Sequence, residues 1–363
     1  MIESLKIKNF RLFKELEIDG FKRVNLIVGK NNSGKSCLLE AIYLLLTKGN
    51  FSYIIDLLKD RDELRVDFDS KKERDYFDDT DKNEHPIRFL FNGYRIPPRL
   101  DENIVQISSQ SSKLSIGHVA YKLGIDGNLK KINVLEKDDK FENNLSHGIM
   151  IKYGNNSLYE FPLKMNKTKM QHYIDSATEI EEINFLPGPS KFDLYISQLW
   201  DFISMTELED EIVNSLRIIE PNLGKINLLG AERVPVIKYK DSSEKVPLKS
   251  LGDGMTRLFH IILALVNSKD GCLIIDEIEN GLHWKTQPKV WEIIFQLSEK
   301  LNVQVFASTH SSDIVRTYCE AWGDNIESGA FHRLESSAEK GSRSVRYSHE
   351  KLSISDEMNV EVR

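Results

Sequence analysis

Gly29-Lys30-Asn31-Asn32-Ser33-Gly34-Lys35-Ser36 meets every fixed position of the pattern G-x-x-x-x-G-K-[ST]. Residues of these types at this spacing grip a polyphosphate. Gly29 and Gly34 allow backbone conformations that a side chain obstructs, so the N–H groups of Asn31, Asn32, Ser33 and their neighbours can turn inward on an anion. The Lys35 ammonium reaches the β- and γ-phosphates, and the Ser36 hydroxyl ligates Mg²⁺. A second group of polar residues ends Cys272-Leu273-Ile274-Ile275-Asp276-Glu277, four apolar residues followed by two acids. A buried strand ending this way places both carboxylates at its C-terminal edge, where phosphate loops also gather. Asp276 then joins the Mg²⁺ shell, and Glu277 orients or deprotonates the attacking water. A third is His310, in VQVFASTHS, whose order after the Asp–Glu strand favours a contact with the γ-phosphate. His283 has two readings: part of a loop that links two active sites, or a cap on the helix beginning near Trp284.

The flanking elements suit these roles. Val24–Val28 is a buried strand, and Cys37–Leu46 carries Leu38, Leu39, Ile42, Leu45 and Leu46 at helical spacing. The loop therefore meets a helix N-terminus, where free N–H groups and the helix dipole favour phosphate. The last third alternates: helix Gly254–Val266, strand Cys272–Ile275, helix Trp284–Leu301, strand Val303–Ala307, helix Asp313–Tyr318. Such alternation predicts parallel strands joined by helices. Gly329–Leu334 and Ser344–Tyr347 read as two edge strands before a short helix.

Residues 1–28 read as two strands, and Phe51–Lys59 as a short helix. Arg61–Glu84 is dense in charge and reads as a solvated loop. From Pro86 to Pro162, short alternating runs (IRFLF, NIVQI, HVAYKLGI, KKINVL, GIMIKY, SLYEF) separated by turn residues predict an antiparallel β subdomain. Lys164–Thr178 is polar, and Ile183–Leu186 adds a strand. Ser190–Glu220 predicts two helices stopped by Pro221, with a hairpin at Ile226–Leu229 and Val234–Tyr239. The expected division is 1–162, with the phosphate loop and the β subdomain; 163–256, a helical lobe; and 257–363, with the acids and His310.

A chain of 363 residues with 40% hydrophobic and 29% charged content reads as globular. Its net charge of −7 argues against a general polyanion binder and leaves a local basic groove open. No apolar run reaches bilayer-spanning length, Leu258–Val266 being broken by His260. MIESLKIKNF lacks the apolar core of a signal peptide. Cys37, Cys272 and Cys319 are scattered without metal-like spacing, as in a reduced, cytoplasmic protein.

Taken in order, IKNFRLF, GKNNSGKS, LKSLGDGM, CLIIDEIENGLH and FASTHS resemble the ABC-type ATPase head shared by SMC, RecF and OLD proteins. The pattern is nearest that of bacterial OLD-like ATPases in which SLGDGM precedes DEIENGLH. The resemblance implies an α/β P-loop NTPase fold of ABC-ATPase type, with a mixed central sheet, an antiparallel β subdomain and a helical lobe. It implies ATP and Mg²⁺ as cofactors, Lys35 and Ser36 on phosphate and metal, Asp276 as the metal-binding acid and Glu277 as catalytic base. Asn280-Gly281-Leu282 resembles the D-loop, His310 the switch histidine, and Arg11 would lie near the nucleotide. Leu251-Gly252-Asp253-Gly254-Met255 departs from the usual signature, with Gly252 in place of the serine that contacts the partner's γ-phosphate. Backbone N–H groups at Gly252 and Gly254, or the Ser250 hydroxyl, are the substitutes. Gln106 and Gln171 are the candidates for the Q-loop glutamine.

The family further implies a head-to-tail homodimer, ATP-dependent or constitutive. After His310 the chain runs only to Arg363, too short for a Toprim nuclease domain. The expected function is therefore an ATPase that controls a separate effector, a Toprim-type nuclease or a toxin, in a bacterial defence module. The alternative is a RecF-like repair ATPase acting on DNA. A transporter subunit is disfavoured by the NFR start, the LGDGM signature and the β-rich insertion. ATP is expected over GTP, because no guanine-specific motif is visible.

Overall fold

The computed structural model describes residues 1–64, 86–96, 104–123, 129–132, 145–155, 157–162, 182–186, 192–230, 232–337 and 341–357. Its centre is β3 (Val24–Gly29), buried at every position. Around it lie β9 (Ile183–Leu186), β13 (Cys272–Ile275), β14 (Gln304–Ser308), β15 (Gly329–Ser337) and β16 (Gly341–Tyr347), in the order β16-β15-β3-β14-β13-β9. All run parallel except β16, which pairs antiparallel with β15, so the sheet is mixed. Strands covered on both faces need apolar residues at consecutive positions, which is why VNLIVG and CLII show no alternation. Period two survives in the packing. Val24, Leu26 and Val28 join one core cluster with Leu273, Ile275, Val305 and Ala307. Ile27, Ile274 and Phe306 join the other.

The first of these faces is covered by α5 (Asp253–Asn267), α6 (Gln287–Lys300) and α7 (Ser312–Gly323). Outside them lie α3 (Phe192–Ile203) and α4 (Glu207–Arg217), the latter capped by Thr206. A small sheet of β10 (Leu223–Leu229), β11 (Val234–Tyr239) and β12 (Lys245–Pro247) completes this lobe. The other face holds α1 (Lys35–Leu46) and α2 (Phe51–Asp60). Beyond these is an antiparallel sheet ordered β2-β1-β4-β5-β7-β8, with β6 on β5. Its strands are β1 (Ser4–Phe10), β2 (Phe13–Asp19), β4 (Val105–Ser108), β5 (Lys113–Leu123), β6 (Leu129–Ile132), β7 (Leu145–Tyr153) and β8 (Ser157–Pro162). A short α8 (His349–Glu357) packs on α7.

Several expectations need correcting. Residues 1–28 form three strands, because the turn at Gly20 breaks the ladder and hands Val24–Gly29 to the other sheet. The N-terminal pair is continuous with the β subdomain, β1 pairing with β4. IRFLF is a 3₁₀ turn (Pro86–Leu90) that buries Ile87 and Leu90. β15 is interior, lying between β3 and β16. The helix expected from Trp284 begins at Gln287, with a proline in its first turn, and Trp284 is 56% exposed. Most of the charged stretch 61–84, and all of 164–178, lie outside the described residues. No helix among the described residues is long and apolar enough to cross a membrane.

Candidate nucleotide-binding site

The loop between β3 and α1 leaves no room for side chains at its glycines. A Cβ on Gly29 would lie 2.5 Å from Ser33 Oγ and 2.6 Å from the Leu334 carbonyl. Gly34 has φ of 100°, and a Cβ there would meet the Phe13 ring at 2.6 Å. α1 has no side-chain cap and no acid in its first turn, so its leading N–H groups are left for an external acceptor. The buried Ser33 Oγ has no hydrogen-bond partner among the described residues. Lys35 Nζ donates to the carbonyls of Gly29 (2.8 Å) and Lys30 (3.2 Å). Burial pulls the Lys35 pKa down, against the opposing field of Asp276, Glu279 and Glu277. An uncapped helix, an orphaned hydroxyl and a desolvated ammonium facing acids fit a phosphate group with a divalent cation. Asn31 and Asn32 are exposed at the loop tip, Asn32 with φ of 61°. Ser36 and half-buried Cys37 stand in the first turn of α1.

The acids follow β13, separated from β3 by β14 alone. Ser308, ending β14, joins them: its hydroxyl donates to Asp276 and accepts from the Glu277 N–H at 2.9 Å. Glu277 adopts φ of 51°, a left-handed conformation that costs a non-glycine residue on the order of 1 kcal/mol. The Ser308 bond and one from Ile278 N to the Ser308 carbonyl (3.0 Å) hold it there. Asn280 Nδ2 donates to Glu277 Oε2 at 2.8 Å, aiming the carboxylate. Ser36 and Asp276 supply hard oxygens suited to Mg²⁺, which ordinarily takes one or two protein ligands and completes its shell with phosphate and water.

His310 is half-exposed. Its Nδ1 lies 2.8 Å from Glu279 Oε1, which also accepts from the His310 N–H at 2.9 Å. These two contacts with Glu279 fix the orientation of the His310 ring. The other Glu279 oxygen is buried without a hydrogen bond, and its charge acts on Lys35 and on Arg257 of α5. Ser308 and Glu279 escaped the sequence reading. A serine ending an apolar strand and a second acid in a turn are common, and only the pairing of strand ends gives them a role.

Ser250 and Gly252 are exposed. Gly252 has φ of 99°, and no atom lies within 4 Å of where its Cβ would be. Gly254 packs on the D-loop, its Cβ position 3.4 Å from the Gly281 carbonyl and 3.7 Å from His283 N. His283 itself caps the turn before α6, accepting from Lys285 N–H at 3.3 Å. Gln106 sits mid-strand opposite Lys8 and Ser115. Gln171 lies outside the described residues.

Arg11 departs from its expected role. Its turn does lie against α1, but the guanidinium is buried and engaged by acids. It donates to both Glu63 oxygens (2.7 and 2.9 Å) and faces Glu40 of α1 in charge contact. A fully buried cation needs acidic partners, and these two bind Arg11 to the scaffold. Arg61 completes the cluster on Glu40.

Along one sheet edge the phosphate loop adjoins the histidine strand, and the acid strand comes next. That order belongs to a P-loop ATPase. The chain belongs to the AAA ATPase domain family, whose model matches residues 1–205 and 131–315. It is similar to an ATP/GTP phosphatase of Helicobacter pylori, 28% identical over 331 residues, 87% of this chain and 86% of that protein. A shorter stretch of 44 residues is 48% identical to the DNA replication and repair protein RecF of Oenococcus oeni, 12% of each chain. Among solved structures, an Smc head bound to the C-winged-helix domain of ScpA is similar with a TM-score of 0.49 and 12% identity, over 97% of this chain and 99% of that one.

Proposed function

We propose that this chain binds ATP with Mg²⁺ and hydrolyses its terminal phosphate. The loop N–H groups and Lys35 hold the β- and γ-phosphates, and Ser36 and Asp276 hold the metal. Bound Mg²⁺ would neutralise phosphate charge. Glu277 takes the proton of a water that attacks the γ-phosphorus, the bond to the β-phosphate oxygen breaks, and ADP and phosphate leave. His310, oriented by Glu279, contacts the γ-phosphate. The observation that carries this reading is the Asp276–Ser308–Glu277 junction, where one serine hydroxyl joins the two acids and holds a strained backbone between them. Magnesium-dependent phosphate release from ATP tests it, with Lys35→Ala as the inactive control; turnover at the wild-type rate in that variant would refute the site.

The open surface at Gly252 and Ser250 supports a second copy closing the site head to tail. At the level of cellular role, the reading is an OLD-like ATPase that switches a separate nuclease or toxin. The RecF likeness, which would support direct action on DNA, spans only 12% of the chain. Co-purification with its genomic neighbours decides between the two. The preference for ATP over GTP is less supported: the Helicobacter relative is named for both nucleotides.

A further inference from the structure

β15 runs parallel to β3 with Leu334 opposite Gly29, then continues through Glu335–Ser337 past the end of β3. β16 returns beside it, and between this hairpin and residues 30–33 of the loop lies a cleft of about 520 Å³, within the usual range of small-molecule sites. It is on the flank of β3 opposite β14 and β13, where His310, Asp276 and Glu277 stand. The flanks thus differ in chemistry. A triphosphate lying across the loop with its γ-phosphate toward the acids must direct its α-phosphate, ribose and base toward the hairpin.

Two features equip the cleft for that. Ser33 lines it, and the buried Ser33 Oγ has no hydrogen-bond partner among the described residues. Arg333 and Arg343 also line it, and Glu335 sets both: Arg343 Nε donates to Glu335 Oε2 at 2.7 Å, and Arg333 Nε lies 3.6 Å from Oε1. Arg343 keeps 62% of its side chain exposed, so a guanidinium plane fixed at one edge still offers its face.

We propose that the cleft takes the base and ribose of a purine nucleoside triphosphate, with Arg343 stacked on the base and the Ser33 hydroxyl bonded to the ribose or α-phosphate. A planar guanidinium stacks on any purine, because it reads the π-face and not the hydrogen-bonding edge. The site therefore accepts adenine and guanine with little discrimination. This inference rests on the phosphate-site reading of the loop.

Calorimetric titration of the full chain with ATP, GTP and inorganic tripolyphosphate, each with Mg²⁺, tests it. The wild type should bind ATP and GTP within about threefold of each other, and tripolyphosphate at least about fivefold more weakly, as one lost stacking contact implies. Arg343→Ala should weaken both nucleotides by about fivefold and leave tripolyphosphate unchanged. Arg343→Lys, which keeps the charge but loses the plane, should behave like alanine. Unchanged nucleotide affinity in Arg343→Ala, with tripolyphosphate still the weaker ligand of the wild type, would place the base elsewhere and overturn the proposal while sparing the phosphate site. Failure of the wild type to bind all three would instead remove the phosphate-site reading, and this proposal with it.

Discussion

Ser308 is a residue on which two neighbouring acids depend at once. Its hydroxyl joins the Asp276 carboxylate to the Glu277 N–H, so its loss frees a backbone held at positive φ. Ser308→Ala should lower turnover by roughly tenfold, with a stability cost of about 1–3 kcal/mol for the unsatisfied buried groups. Steady-state phosphate release and urea denaturation would separate the two effects. Glu277→Gln should act differently. The amide keeps the shape and most hydrogen bonding but takes no proton, so hydrolysis should fall by roughly 10²-fold or more while ATP binding persists. A binding isotherm collapsing together with the rate would show that Glu277 serves the fold instead of the proton.

At the scale of elements, α1 is held from below by charge and from above by the loop. Arg11 ties the turn after β1 to Glu40 of α1 and to Glu63 beyond α2. Burial pushes the Glu40 carboxyl pKa up, while Arg11 and Arg61 pull it down. Removing one member of a buried ion cluster leaves its counter-charge exposed to a low dielectric. Arg11→Met should therefore destabilise the protein by about 3 kcal/mol, read from the urea midpoint. Both acidic partners of Arg11 belong to the scaffold, so the folded fraction should keep its affinity for ATP. Loss of affinity without loss of stability would return Arg11 to the nucleotide.

For the whole molecule, Ser250 and Gly252 face solvent, and the proposed function has a second copy bring them to the phosphate loop. Glu277→Gln should accumulate as an ATP-bound dimer, since bridging phosphates favour association and hydrolysis removes them. Lys35→Ala should stay at the apo-state mass. Light scattering with and without ATP reads this, and identical masses throughout would mean that the interface ignores nucleotide. Acid sensitivity also belongs to this scale. His332 is fully buried beside Phe21, with neither ring nitrogen hydrogen-bonded, and burial with the Arg346 charge lowers its pKa from 6.5 to about 3. His260 is lowered to about 4, mainly by burial. The folded state thus holds fewer protons than the unfolded chain below pH 6.5, and stability falls as pH falls through that window. Each histidine contributes a slope of up to about 1.4 kcal/mol per pH unit there. His332→Leu should flatten the decline of Tm between neutral and mildly acid pH, and an unchanged slope would exonerate it.

The phosphate loop, the acid strand and the histidine strand were legible because their chemistry is local: the glycine spacing, the uninterrupted apolar runs and the polar residues ending them lie within a few positions of one another. Helix and strand order in the last third followed from the same periodicities. What the sequence could not supply was which strand ends meet. Asp276 and Ser308 are joined only by the pairing of β13 with β14, and Glu279 meets His310 only across that edge. Arg11 was expected near the nucleotide only because the family resemblance implied it; the acids that enclose it come from α1 and from beyond α2. β15 looked like an edge strand since nothing local reveals that β3 lies beside it. Chemistry carried within a loop or strand was written in the residues. Chemistry made by juxtaposition waited for tertiary packing, because hydrogen bonds and ion pairs depend on distance through space and not on separation along the chain.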